Sequence, residues 1–213
     1  MDDLTILVLY LPDRQDRLKS IRTELERMNL IDNATFIEGS RIVSHGSGAS
    51  GIAEGHIRCL QYAVSKKYKN VIILQDDCKF LVSPEVFHSE INSFLENASD
   101  WDGLWFGGFM MYNQSDVQHN FVRPISFNQD TATLINSTYY AKLIEYYKTC
   151  RDMFIETGQD KYVIDQFMNT EINGILPVRD DKLYTLVNRL CGQADCYSDR
   201  TFCVMRGGCG IPL

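Results

Sequence analysis

Five alternating segments in the first 75 residues constrain this chain more than any other feature. Residues 4–11 form a nearly continuous run of Leu, Ile and Val, the pattern of a strand covered on both faces. Pro12-Asp13 breaks the run. Leu18, Ile21, Leu25 and Met28 then recur at helical spacing, with Arg, Lys and Glu between them. Thr35-Phe36-Ile37 reads as a second strand ending at Glu38-Gly39, and residues 40–51 as a Ser- and Gly-rich loop with little apolar content to anchor it. A second helix is predicted over residues 54–67 and a third, buried strand over residues 70–75. Strand, helix, strand, helix, strand at this spacing predicts a parallel sheet with helices on its faces.

The pattern loosens after that. Residues 84–97 read as a helix and Leu104-Trp105-Phe106 as a strand. Residues 121–127 and 131–135 read as two more strands, and 137–147 and 161–169 as helices. Short strands and turns follow Pro177. No repeat, low-complexity segment or linker interrupts the chain. The expectation is therefore one α/β domain over residues 1–213, with a Rossmann-like, mixed but mostly parallel central sheet flanked by helices.

Composition excludes several classes. A hydrophobic content of 45% with 23% charged residues is that of a folded globular protein rather than a disordered one. The formal charge of -7 argues against nucleic acid, which needs a basic face, but leaves room for a small phosphate ligand neutralised by a metal ion. No apolar run approaches the roughly 20 residues of a membrane span. The N-terminus lacks the pattern of a signal peptide, so a cytoplasmic protein with free thiols is expected. Cys191, Cys196, Cys203 and Cys209 crowd the tail, but without a Cys-x-x-Cys pair they read as packed or free thiols rather than a zinc site.

The sharpest chemical feature is Val71-Ile72-Ile73-Leu74-Gln75-Asp76-Asp77, two adjacent carboxylates where a buried strand ends. Ligands of open α/β sheets bind beyond the carboxyl ends of the strands. Two carboxylates there repel each other unless a cation or hydrogen bonds offset the charge. Mn²⁺ or Mg²⁺, held by one or two carboxylates and ligand phosphates, meets that need. An equal reading has the pair capping a turn or helix. The first strand leads to Arg14 and Arg17 at the same edge, where a guanidinium can meet a phosphate. The competing reading, local pairing with Asp13 and Asp16, is stronger for Arg17 than for Arg14. Gly39, closing the second strand, permits close backbone approach.

Several of these segments together resemble a known family. Leu11 and Asp13-Arg14 through Arg17, Phe36-Ile37-Glu38-Gly39, Gly55 opening a helix, and Ile73-Leu74-Gln75-Asp76-Asp77 follow in an order similar to the lipopolysaccharide-type and procollagen-galactosyltransferase family of glycosyltransferases. The likeness continues at Trp101 to Gly107, Thr131 to Ser137, Gln193 and Ser198-Asp199. The chain also resembles the glycosyltransferase domains that large algal (chlorella) viruses use on capsid glycans, which would place it in a host cytoplasm. The resemblance implies a GT-A fold and transfer of a sugar from a nucleotide donor, usually a UDP-sugar, to a glycan or glycoprotein. It implies that Asp77 binds the metal, assisted by Asp76, and that Tyr10, Leu11, Arg14, Gly39, Gln75 and Asp76 face the donor. The sequence departs from the family in having Gln75 where Glu is usual, His56 and Leu60 where Cys and His are usual, and Ala132 where His is common.

An acceptor hydroxyl needs a base, and Asp165 is the first choice, with Asp199 second. Asp165 could instead begin a helix and pair with Lys161, and Asp199 could be an ordinary turn residue. Of four scattered histidines, His56 alone lies near the active edge. Two other readings remain open at this point. One is a metal-dependent nucleotidyltransferase using the same acidic pair, although no Gly-rich phosphate loop accompanies it. The other is a catalytically weak sugar-nucleotide-binding module, since Gln75 removes one charge from the motif.

Overall fold

A computed structural model describes residues 4–194, 196–198 and 203–205 of the chain. The first five segments form β1 (Ile6–Tyr10), α1 (Gln15–Arg27), β2 (Ala34–Glu38), α2 (Ala49–Lys66) and β3 (Asn70–Gln75). β1 lies between β2 and β3, parallel to both. Its side chains divide by alternation. Ile6 and Val8 pack with Ile21 and Leu25 of α1 on one face, whereas Leu7 and Leu9 pack with Ile57 and Leu60 of α2 on the other. Burial on both faces is why the run is apolar throughout, and each fully buried Leu or Ile contributes roughly 1.5–3 kcal/mol.

The chain continues through β4 (Cys78–Phe80), α3 (Pro84–Asn97), β5 (Gly103–Trp105), β6 (Phe109–Met111), β7 (Phe121–Val122), β8 (Ser126–Asn128) and β9 (Ala132–Asn136). After these come α4 (Tyr140–Thr157), α5 (Ile164–Phe167), α6 (Pro177–Asp180), β10 (Leu183–Leu186), β11 (Cys191–Gln193), β12 (Cys196–Ser198) and β13 (Cys203–Met205). The central sheet has seven strands in the order β2-β1-β3-β9-β5-β10-β7. β9 and β7 run against the other five, so the sheet is mixed with most strands pointing one way. α1 and α3 cover one face and α2 and α4 the other. This is the fold class expected from the sequence.

Outside the central sheet, β6 pairs with β8, β12 with β13, and β4 with β11. The last of these pairings carries the tail back beside the end of β3. No helix among the described residues is long and apolar enough to cross a membrane.

Four boundaries differ from expectation, each for a local reason. α2 starts at Ala49, so the end of the Ser- and Gly-rich stretch supplies its first turn. The predicted strand over 121–127 is two strands, because Pro124 has no N–H to donate to a ladder. The helix predicted over 137–147 opens with a 3₁₀ turn at Ser137–Tyr139 and runs on to Thr157, where Gly158 adopts the left-handed conformation (φ 66°) that ends it. The helix predicted over 161–169 is a 3₁₀ turn at Asp160–Tyr162 followed by the single turn of α5.

Candidate functional site

The parallel register brings the ends of three strands together. Tyr10 stands opposite Glu38 and Leu9 opposite Gln75, so the residues that follow each strand share one edge of the sheet. A cavity of about 300 Å³ opens there. Tyr10, Leu11, Gly39, Gln75, Asp76, Asp77 and Asp165 all line it. Asp199 lies outside the described residues. Gly39 holds its place for a steric reason: a Cβ would sit 3.2 Å from both the Leu9 side chain and the Tyr10 carbonyl oxygen. Its N–H donates to that same carbonyl at 2.8 Å, extending the β1–β2 pairing by one residue.

Of the two arginines, it is Arg14 rather than Arg17 that makes the local pair with Asp16. Arg14 is buried, with Nε and Nη2 donating to the two carboxylate oxygens of Asp16 at 2.9 and 2.7 Å, and its charge also pulls down the pKa values of Asp76 and Asp77. That fork holds the Asp16 carboxyl down at about 2. Arg17 lines the cavity instead, with Nη1 donating to Asp76 Oδ1 at 3.0 Å and lying 3.3 Å from Asp77 Oδ2. Asp13, the other local partner expected for these arginines, pairs with Arg41 at 2.6 Å.

Both carboxylates of the pair are buried. Asp76 also accepts from the Leu11 N–H at 3.3 Å, and burial pushes its pKa up against the pull of Arg17. Burial raises Asp77 to about 6, Arg17 opposes the rise, and the Asp76 charge adds to it. Asp77 Oδ1 is buried with no hydrogen-bond partner. The pair does occupy the turn from β3 to β4, but the next helix, α3, is capped by Ser83, whose hydroxyl accepts from the Val86 N–H. Two desolvated carboxylates, one with an open oxygen, fit a hard divalent cation that takes its remaining ligands from a phosphate-bearing molecule. Among the described residues no group of three or more His, Cys, Asp or Glu side chains is placed to hold a metal by itself.

The opposite wall comes from the start of β9 and from α5. The Gln75 N–H donates to the Thr131 carbonyl at 2.9 Å, which sets Asp130 beside the end of β3. Asp130 is buried, accepting from the Trp105 indole at 2.8 Å and the Tyr147 hydroxyl at 3.2 Å. Both donors are neutral, and burial together with the nearby Asp165 charge raises Asp130 to about 7. Asp165 accepts from the Gln129 N–H at 3.1 Å and the Gln166 N–H at 2.9 Å, while Lys161, its expected partner, lies over the Tyr162 ring. Gln129 has φ of 76°, a left-handed conformation uncommon outside glycine, and its amide donates to Gln193 Oε1 at 3.3 Å. Trp105 is committed to Asp130 and buried, so it is not a surface on which a sugar ring could stack.

Sequence reasoning missed Asp130, Gln129 and the role of Arg17. Asp130 carried no local signal, because its partners Trp105, Tyr147 and the nearby His56 stand far from it in sequence. His56 was noticed but not understood. It is buried against the Tyr147 ring, its Nε2 lies 3.3 Å from Gln75 Nε2 and 3.8 Å from Asp130 Oδ2, and burial lowers its pKa to about 4.

No protein-family model matches the chain, and no curated protein matches it in sequence. Among solved structures it is similar to a mannose-1-phosphate geranyltransferase from Thermus thermophilus, with 9% identity, 88% of this chain and 75% of that chain covered, and a TM-score of 0.49. A glycosyltransferase involved in glycosylation of the major capsid of PBCV-1 is similar over 85% of this chain and 80% of its own, with 12% identity and a TM-score of 0.49. A cytidylyltransferase from Leptospira borgpetersenii is similar over 88% and 77%, with 14% identity and a TM-score of 0.44.

Proposed function

We propose that the protein is a transferase that moves a sugar from a nucleotide donor, a UDP-sugar, to a hydroxyl of a glycan or glycoprotein, with Mn²⁺ or Mg²⁺ at Asp76 and Asp77. The observation that carries this reading is one cavity with a compensated acidic pair on one wall and a separate carboxylate, Asp165, on the other. Breaking the bond to a diphosphate leaving group develops negative charge on its oxygens. When bound, the metal ion would neutralise part of that charge. Asp76 and Asp77 would hold it, and Arg17 lies close enough to both to share the load as the charge grows. Asp165, oriented by two backbone N–H groups, would take the proton of the acceptor hydroxyl. Tyr10, Leu11 and Gly39 offer an apolar and backbone surface for the nucleoside.

Isothermal titration with UDP- and GDP-sugars, with and without Mn²⁺, tests the proposal. Metal-dependent UDP-sugar binding that Asp77→Ala weakens at least about tenfold is the expected result. Absence of nucleotide-sugar binding under every metal condition would overturn it. Release of UDP rather than pyrophosphate on turnover would separate sugar transfer from nucleotidyl transfer.

A further inference from the structure

Two departures from the family pattern, Gln75 and His56, touch each other, and their contact has a direction. Gln75 Nε2 lies 2.8 Å from the Asp130 carbonyl oxygen. A carbonyl oxygen only accepts, so the Gln75 atom facing it is the amide nitrogen rather than the oxygen. That nitrogen is also 3.3 Å from His56 Nε2, so the ring nitrogen accepts there and the imidazole proton sits on Nδ1. Burial keeps His56 uncharged, so the ring carries a single proton. With both N–H groups of the amide engaged on the buried side, Oε1 is the atom left toward the cavity that Gln75 lines.

The arrangement is specific to an amide. A glutamate at position 75 would set a carboxylate oxygen against the Asp130 carbonyl, with no proton between them. The histidine also has a cost that packing does not explain, because His56 Nδ1 is buried and has no partner.

We propose that His56 and the Asp130 carbonyl form a bracket that fixes Gln75 as a neutral acceptor for a ligand hydroxyl, with His56 as a positioning residue. The inference rests on the nucleotide-sugar reading for its ligand, a ribose or sugar hydroxyl, but the bracket itself does not. Next to two carboxylates committed to a cation, an uncharged acceptor selects a hydroxyl without drawing the metal toward itself.

The test has two arms. Long-range ¹⁵N NMR of the unliganded protein reads the His56 tautomer directly, and the expected result is the Nδ1–H form. The Nε2–H form would overturn the bracket whatever the protein binds. The second arm measures affinity for UDP, 2′,3′-dideoxy-UDP and UDP-glucose, each with Mn²⁺, in the wild type, Gln75→Met, His56→Phe and the double variant. Each single variant should weaken binding about tenfold, and the double variant no more than Gln75→Met alone. If Gln75 reads the ribose, the loss appears with UDP and vanishes with the dideoxy probe. If it reads the sugar, the loss appears only with UDP-glucose. Equal losses on all three probes, or additive losses in the double variant, would overturn the proposal. Should the wild type bind none of the probes, the transferase reading fails, and the tautomer still decides the bracket.

Discussion

The two walls of the cavity carry carboxylates of opposite character. On the β3 wall, Asp76 and Asp77 share a permanent cation, Arg17, within 3.3 Å of both. On the β9 wall, Asp130 is met by an indole and a phenol, neutral donors that satisfy its oxygens without cancelling its charge. The first wall therefore holds a fixed positive charge that opposes the rise burial imposes on its carboxylates. The second relies on neutral donors, so burial and the neighbouring Asp165 charge favour its protonated form, and both Asp130 and Asp165 line the cavity. One cavity thus combines a half with a fixed guanidinium, where the proposed metal and diphosphate would lie, and a half whose carboxylate is met only by neutral donors.

Four substitutions would break or sharpen that contrast. The largest effect is expected for Asp165→Asn, which should lower turnover about 10²–10⁴-fold while leaving donor affinity near wild type, measured by single-turnover assay beside titration. Parallel loss of affinity and turnover would mean that Asp165 belongs to the donor side.

Asp77→Ala should abolish the metal dependence of donor binding but leave residual, metal-independent affinity through the apolar part of the cavity. Arg17→Gln should destabilise the fold by about 3 kcal/mol, because it leaves two buried carboxylates without their cation. Added Mn²⁺ should restore part of that stability in denaturant titrations. A loss that Mn²⁺ does not touch would mean that the pair does not bind the ion.

The smallest effect is expected for Asp130→Asn, and it depends on pH. Asp130 titrates at about 7 in the fold and at roughly 3.9 when unfolded, so between these values the folded state holds a proton that the unfolded state has released. Its contribution is fully present below about pH 4 and is lost as pH rises through about 7. Melting temperature should accordingly fall less in Asp130→Asn than in wild type between pH 5 and pH 8. His56 titrates with the opposite sign, lowering stability as pH falls from about 6.5 towards 4, and lies 3.8 Å from Asp130, so the comparison is made in a His56→Phe background that removes it.

The contrast between the walls is also a contrast in what a sequence exposes. The β3 wall was legible because a strand buried on both faces must be apolar throughout, so a run such as Val71–Leu74 advertises both its location and its end. Asp76 and Asp77 then mark the edge. Arg17 was misread because Asp13 and Asp16 lie within one helical turn, and spacing alone cannot tell a local pair from one that reaches 59 residues away to Asp76.

The β9 wall was largely illegible. Asp130 gains its meaning from Trp105, 25 residues before it, and Tyr147, 17 residues after, which meet only when the sheet and α4 are assembled. α5 was mistaken for a longer helix because the apolar residues Ile164, Phe167 and the capping Met168 keep helical spacing, although the helix itself lasts one turn.

Gln129 gives the second wall one further property. Its left-handed backbone costs roughly 1 kcal/mol relative to glycine at the same place, and the fold retains it. The same residue supplies the N–H that orients Asp165 and an amide that reaches across to Gln193. The wall is thus cocked rather than relaxed. Relief of that tension by glycine would trade a stiffer aim for a more comfortable chain, so the fold could gain stability at this position while the site lost its precision.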